Sequence, residues 1–254
     1  MKILICILAG LGAGLGTGFA GMSAAAVISP MLIAFLDMDP YMAVGIALAS
    51  DVLASAASAV TYGKNKNLDI RNGLIMFVSV LCFTMVGSYV ASVVPKTTMG
   101  NFSVFMTLLL GVKFIVKPVV APKKRLENAT ASQKAVRSVA CGVVVGFICG
   151  FVGAGGGMMM LLALTSLLGY ELKTAVGTSV FIMSATALTG ALSHFAIGGM
   201  PDPGALLLCV ASTLIFAQLA ALFANKARPE TLNRVTGAIL VLLGVAILTV
   251  NYLK

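Results

Sequence analysis

The sequence predicts an all-α polytopic membrane protein: two inverted repeats, each a broken helical hairpin plus three transmembrane helices. Three observations carry this reading. Hydrophobic residues make up 59% of the 254 positions and charged residues 10%, against about 25% charged in soluble domains; the mean hydropathy is +1.06. The apolar residues form continuous runs of membrane-crossing length, not the alternating segments of about ten residues that a β-barrel requires. The first half of the chain also recurs in the second, with its glycines in register. Together these exclude a soluble globular domain, a disordered chain and a nucleic-acid-binding module. The net charge of +9 sits in short loops between apolar runs, as in cytoplasmic loops of membrane proteins.

In chain order the apolar stretches are 3–36, 40–63, 72–95, 97–112, 138–170, 174–201, 203–225 and 235–253. Most fit one crossing of about 20 residues. Stretches 3–36 and 138–170 do not, since each would span about 50 Å as a straight helix, against a hydrocarbon core of about 30 Å. Each has a glycine-rich centre, Gly16-Thr17-Gly18-Phe19-Ala20-Gly21 and Gly150-Phe151-Val152-Gly153-Ala154-Gly155-Gly156-Gly157. Glycine tolerates the backbone conformations that interrupt a helix, so each stretch reads as two shorter helices with a break between them. Met1-Lys2 before an apolar run imitates a signal peptide. The same element returns mid-chain at 138–170, so 3–36 reads as retained structure.

Shifting the chain by 132 residues places Gly10, Gly14, Gly18, Phe19 and Gly21 on Gly142, Gly146, Gly150, Phe151 and Gly153, and Ala43-Val44-Gly45 on Ala175-Val176-Gly177. With a one-residue gap, Asp69 meets Asp202 and Gly111 meets Gly244. The expected organisation is a first membrane repeat at 1–120, a polar cytoplasmic linker at 121–135 and a second repeat at 136–254. If each long stretch crossed once, Lys96, Lys173, Lys226, Arg228 and Arg234 would lie on the side poorer in positive charge. If each is a hairpin that enters and leaves on one side, all 17 Lys and Arg residues except Lys2, Lys96 and Lys254 fall on one side. The hairpin arrangement satisfies the positive-inside rule better. It puts both termini outside, and the odd number of full crossings per half inverts one half relative to the other.

The two glycine-rich breaks, Ala175-Val176-Gly177-Thr178-Ser179 after the second of them, and His194-Phe195-Ala196-Ile197-Gly198-Gly199 at the end of the next helix resemble the TauE/SafE family of sulfite exporters. The resemblance covers nearly the whole chain. The first half departs from it, with Ile46-Ala47 where the second has Thr178-Ser179, and Tyr62 where it has His194. The resemblance implies export, or sometimes uptake, of sulfite, thiosulfate or organosulfonates across a bacterial or archaeal cytoplasmic membrane.

A small oxyanion crossing this chain needs positive potential near the midplane, yet the crossings contain almost no Lys or Arg. Lys113 is an exception and, one turn from Lys117, reads as snorkelling to a cytoplasmic end. Backbone remains. New helices are expected to start at about Met22-Ser23 and Gly156-Gly157, with free N–H groups and the positive dipole end facing inward. Ser23 is suited to be an N-cap. The expected substrate contacts are Gly21, Met22 and Ser23 from one break, Gly155, Gly156 and Gly157 from the other, and Thr178 and Ser179 beside it. The glycines serve packing too: Gly10/Gly14/Gly18 and Gly142/Gly146/Gly150 are GxxxGxxxG faces. Asp51, an acid inside a crossing with Ser50 and Ser55 nearby, is expected to be protonated or paired, either as a structural acid or as a residue coupling transport to protons or cations. His194 reads as a polar helix-end residue or a titrating gate. Gln218 reads as a cavity-lining or interhelical group.

Other chemistries find little support. Gly16-Thr17-Gly18-Phe19-Ala20-Gly21 matches GxGxxG, but no strand precedes it. HExxH and GxxxxGK[ST] are absent, so neither a zinc protease nor an ATP-hydrolysing module is expected. The five cysteines, Cys6, Cys82, Cys141, Cys149 and Cys209, lie in apolar runs without zinc or disulfide spacing. The sequence thus predicts no cofactor and no metal, and as partners a sulfur oxyanion, the lipid bilayer and a coupling proton or cation. An intramembrane enzyme and a non-transporting structural membrane protein are the alternatives. A Ser179–His194 dyad is disfavoured, because fifteen residues of helix separate the two by about 22 Å.

Overall fold

A computed structural model describes residues 1–95, 131–152, 156–168 and 172–226, with isolated positions elsewhere. Among the described residues there is no strand. The helices are α1 (Lys2–Ala20), α2 (Ala25–Leu36), α3 (Pro40–Lys64), α4 (Ile70–Val93), α5 (Ala131–Val152), α6 (Gly156–Leu162), α7 (Leu172–Gly198) and α8 (Pro203–Ala224). A π-helical turn, Ala163–Leu167, continues α6. Among the described residues, five helical segments are long and apolar enough to cross a membrane: α1, α3, Met76–Val93 of α4, α7 and α8. Large apolar side chains exposed along them, such as Leu53, Val60, Val78, Met85, Ile215 and Phe223, give the lipid a matching surface. This is a multi-pass helical membrane protein. Gly153 to Gly155, linker residues 121–130, Lys113, Lys117, Gly111, Gly244 and most of stretches 97–112 and 235–253 lie outside the described residues.

Local chemistry sets the helix ends. Asp39 caps α3, its carboxylate accepting from the Tyr41 and Met42 N–H groups at 3.0 and 3.2 Å, and Pro40 takes the first helical position, where no N–H is needed. Asp202 and Pro203 do the same for α8, with the Ala205 N–H at 2.9 Å. The Lys2 ammonium, and then the Ala205 N–H, hold the Asp202 carboxyl below its usual range. α1 stops at Gly21, which adopts φ 61°. Its N–H returns to Thr17 O at 2.9 Å, and the Met22 N–H to Gly16 O at 3.3 Å. α2 begins later than the sequence suggests. Ala24 is its cap position and lacks a capping side chain, while Ser23 lies one residue before it. α5 begins at Ala131, inside the stretch expected to be linker.

The glycine faces meet helices far away in sequence. A Cβ on Gly10 would strike Ser212, and one on Gly14 would lie 2.7 Å from the Ala217 nitrogen. One on Gly18 would strike Ala217 O. Positions thus rise together along both helices, so α1 and α8 run parallel. Gly142, Gly146 and Gly150 meet Ser79, Val80 and Thr84 in the same way, so α5 and α4 run parallel. α3 opposes α7, since Gly45 meets Phe195 and His194 while Gly177 meets Tyr62 and Asn67. Without side chains at these glycines the backbones approach closely enough for dispersion contact over the whole crossing, the main attraction available between helices in lipid.

These pairings define two ends. Lys2 pairs with Asp202, and Gly198 packs on Tyr41, so α1, α3 and α8 all start at one end, which carries Lys2, Asp37, Asp39 and Asp202. α2 leads to the same end, and the α1–α2 hairpin therefore enters and leaves there. The other end gathers Lys64, Lys66, Lys173 and Lys226. Lys173 Nζ donates to Asn225 O at 2.7 Å and Asn67 Nδ2 to Asn225 Oδ1 at 3.1 Å. α5 runs from this basic end, and α6 with its π-turn leads back to it, where α7 starts.

Two measurements check this packing. Gly146→Ala puts a Cβ against Val80 O and should destabilise by about 1–3 kcal/mol. Gly63→Ala, whose nearest neighbour would be Leu68 Cδ2 at 3.5 Å, should be neutral or stabilise by up to about 1 kcal/mol; thermal melts in detergent compare the two. Single cysteines at Lys66 and Lys226 should label with an impermeant maleimide from the same membrane face, and cysteines at Asp37 and Asp202 from the opposite one. Labelling of Lys66 and Asp37 from one face would refute the arrangement.

Candidate functional site

The first break touches the start of α6. A Cβ on Gly157, in the first turn of α6, would strike Gly21 O and lie 2.7 Å from the Ser23 nitrogen. A Cβ on Gly21 would strike Ser179 Oγ on α7 and approach Val176 at 3.3 Å. Backbone thus meets backbone where the first break crosses the start of α6, an approach that glycine at Gly157 permits. Met22 is buried beside them with its sulfur near Gly16. The Ser179 hydroxyl donates to Val176 O at 2.8 Å, inside its own helix.

Asp51 lies next to this crossing. It is fully buried in the middle of α3. The Ser55 hydroxyl, one turn on, donates to Oδ1 at 2.7 Å. The Ser23 hydroxyl and the Ala24 N–H also face the carboxyl, yet Oδ2 has no partner in hydrogen-bonding geometry. The remaining N–H groups of the α2 entrance are engaged locally: Ala25 to Ser23 Oγ at 3.3 Å, Ala26 to Ser23 O at 3.1 Å and Val27 to Ala24 O at 3.1 Å. The acidic group at the start of α2 is therefore a side chain of the protein itself. A carboxylate at a helix N-terminus is favoured by the dipole and by direct donation. The fully buried Cys149 of α5 lies within electrostatic reach of the same carboxyl.

Of the residues singled out from sequence, Gly21, Met22, Ser23, Gly157, Ser179 and Asp51 come together here. Gly156 starts α6 and adjoins them in the chain; Gly155 lies outside the described residues. Thr178 turns away from its neighbour Ser179, because successive residues on a helix point about 100° apart. Its hydroxyl accepts from the Asp69 N–H at 3.0 Å and ties α7 to the loop at the basic end. Gln218 Oε1 accepts from the Thr61 hydroxyl at 3.2 Å, an α3–α8 bond. His194 is buried towards the acidic end, 2.9 Å from Gly150 O and 3.2 Å from Tyr41 O. Sequence reading missed the Ala24 N–H, whose orientation depends on a bend invisible in composition. It also missed the π-turn, for which no sequence signal stands out.

Broken helices whose ends meet around a buried acid, inside a multi-pass helical protein, define the class of a membrane transporter. Comparison with known proteins gives the family. Residues 6–247 match the sulfite exporter TauE/SafE family model, and the chain belongs to that family. It is 29% identical, over 96% of both chains, to the probable membrane transporter protein YunE of Bacillus subtilis. It is 22% identical to the probable membrane transporter protein MJ0441 of Methanocaldococcus jannaschii, over 92% of this chain and 88% of that one. A second Bacillus subtilis relative, the probable membrane transporter protein YdhB, is 21% identical over 84% of this chain and 86% of its own. No solved structure matches the chain significantly.

The crossing can be tested by coupling between sites. Gly21→Ala adds a Cβ at φ 61° and against Ser179 Oγ, and should cost about 2 kcal/mol of stability. Ser179→Ala removes the struck atom and should return part of that loss in the double variant. Strict additivity in thermal melts would place the two residues apart.

Proposed function

We propose that this protein is a secondary transporter that exports a small sulfur-containing oxyanion, such as sulfite, thiosulfate or an organosulfonate, across the cytoplasmic membrane of a prokaryote. The observation that carries this reading is the buried Asp51 carboxyl at the start of α2, where the two breaks meet. Ser23 and Ala24 offer donors suited to an oxyanion, and Asp51 already faces them. An ionised Asp51 and a bound oxyanion repel each other at low dielectric. Both occupy the site only when Asp51 carries a proton, and this exclusion links anion binding to a proton. Gly21, Met22, Ser23, Gly155, Gly156, Gly157 and Ser179 form the proposed substrate surround, with Thr178 and Gln218 bracing the helices around it. A site without Lys or Arg suits a compact anion that takes its compensation from backbone dipoles and hydroxyls.

The proposed architecture is two inverted repeats, 1–120 and 136–254, joined by a cytoplasmic linker. Its support is the way contacts recur. Gly10 meets Ser212 as Gly142 meets Ser79, and Gly18 meets Ala217 as Gly150 meets Thr84. Each half lends its first helix to the other half's sheath, and the two hairpins open to opposite ends. The positive-inside rule makes the basic end cytoplasmic. The bacterial and archaeal relatives fit a prokaryotic membrane. An intramembrane Ser/His hydrolase is the weaker reading, because Ser179 bonds within its own helix and His194 contacts carbonyls near the acidic end.

Purified protein in liposomes should show saturable flux of thiosulfate, sulfite or a small organosulfonate, independent of ATP. Absence of flux for all three would defeat the proposal. A sulfonate stays ionised through the working pH range, so its pH dependence reports the protein. Its apparent affinity should rise as pH falls in the unmodified protein. With Asp51→Asn it should be flat and should match the low-pH affinity. An unchanged pH profile in Asp51→Asn would return Asp51 to a structural role.

A further inference from the structure

A helix that ends inside a membrane leaves the carbonyls of its last turn without intrahelical donors, and lipid supplies none. At the end of α1, Gly16 O and Thr17 O receive the Met22 and Gly21 N–H groups, and Gly18 O receives the Tyr62 hydroxyl at 3.1 Å. At the end of α5, Gly150 O faces His194 Nε2 at 2.9 Å, with the Ser88 hydroxyl at 3.4 Å. Gly18 and Gly150 are 132 residues apart, and so are Tyr62 and His194. The same carbonyl before each break is thus held by the same position of the following long helix. In one half the holding group is a phenol, in the other an imidazole.

The imidazole has a second partner. Its Nδ1 lies 3.2 Å from Tyr41 O, and the Tyr41 ring lies against it, tilted by 30° with centroids 4.1 Å apart. Both ring nitrogens therefore face carbonyl oxygens. A carbonyl only accepts, and a neutral imidazole has one N–H, so it bonds one carbonyl and sets a lone pair against the other. The imidazolium donates to both. The titratable group facing the ring is the Tyr41 phenol of α3, which donates to Ser88 O of α4 at 3.3 Å. α4 brings Ser88 and Thr84 to this region, neither of which titrates. α5 brings Cys149, the neighbour of Gly150. Asp39, at the entrance of α3, lines a cavity of about 430 Å³ that also borders Tyr41, Ser92 and Ile197 and lies at the acidic end. The cavity ends at Tyr41, whose ring separates it from His194.

We propose that Tyr62 and His194 are equivalent positioning residues, each latching the helix that leads into a break, and that His194 makes the second latch conditional on a proton. Protonated, His194 ties the end of α5 to the start of α3. Deprotonated, it releases one of them, and the Gly150 turn of α5 loosens while the Tyr62 latch on α1 is unaffected. The consequence for gating rests on the transport reading above; the latch itself does not.

The buried Cys149, adjacent to Gly150, is a built-in reporter. In full-length protein with Cys6, Cys82, Cys141 and Cys209 replaced by Ala, N-ethylmaleimide reacts with Cys149 when the end of α5 opens. Thiol chemistry itself accelerates with pH, so the reading is the ratio of this rate to the rate in the same protein carrying His194→Gln, whose amide donates without titrating. That ratio should rise about fivefold between about pH 5.5 and about pH 8, and adding Tyr62→Phe to both proteins should leave the rise intact. A ratio that stays flat overturns the proposal, as does loss of the rise with Tyr62→Phe. If His194→Gln does not give a folded protein, His194→Tyr, which copies the residue at the equivalent position, replaces it with the same expectation. Thiosulfate flux in the single-cysteine protein separates the two readings. Flux with a flat ratio removes the latch and keeps the transporter; a rising ratio without flux does the reverse.

Discussion

The rest of this structure depends on one constraint: a helix interrupted inside a bilayer must find partners for its severed backbone within the protein. The first break shows how this is done. Gly21 takes a left-handed conformation, so two N–H groups fold back onto α1, and a phenol from α3 takes the next carbonyl. On the far side of the break, Ser23 serves the Ala25 N–H and Asp51 faces the Ala24 N–H. Tyr62 and Ser23 are thus committed to backbone at this break.

Bringing two breaks together requires close helix packing, and that demand explains the glycine content better than any single motif. Every helix leading to a break lies in a glycine groove against a helix distant in sequence, α1 on α8 and α5 on α4. Because the grooves run the full crossing, a shift at one level is felt along the whole helix. Where glycine gives way, buried polar side chains gather at Ser23, Asp51, Ser55 and Ser179.

The electrostatics follow from the absence of buried Lys or Arg among the described residues. A carboxyl in lipid is tolerable when donors surround it, and here they come from two hydroxyls and the first N–H of a helix. One oxygen, Asp51 Oδ2, is left without a hydrogen bond.

The sequence by itself determined an all-helical multi-pass protein, the five described crossings, the first break at Gly21 and the glycine faces. These are local properties: composition, run length and three- or four-residue spacing are written in neighbouring residues. It also singled out Asp51, because an acid inside an apolar run is costly wherever the run folds. Tertiary structure decided the rest. That Asp51 faces the start of α2, that Ser179 lies against Gly21 while Thr178 serves a loop, and that His194 and Tyr62 reach matching carbonyls all depend on how each helix is rotated about its axis. A rotation of about 100° separates one residue from the next, and nothing in a uniformly apolar helix marks which face turns inward. Only packing against glycines more than a hundred residues away sets that angle.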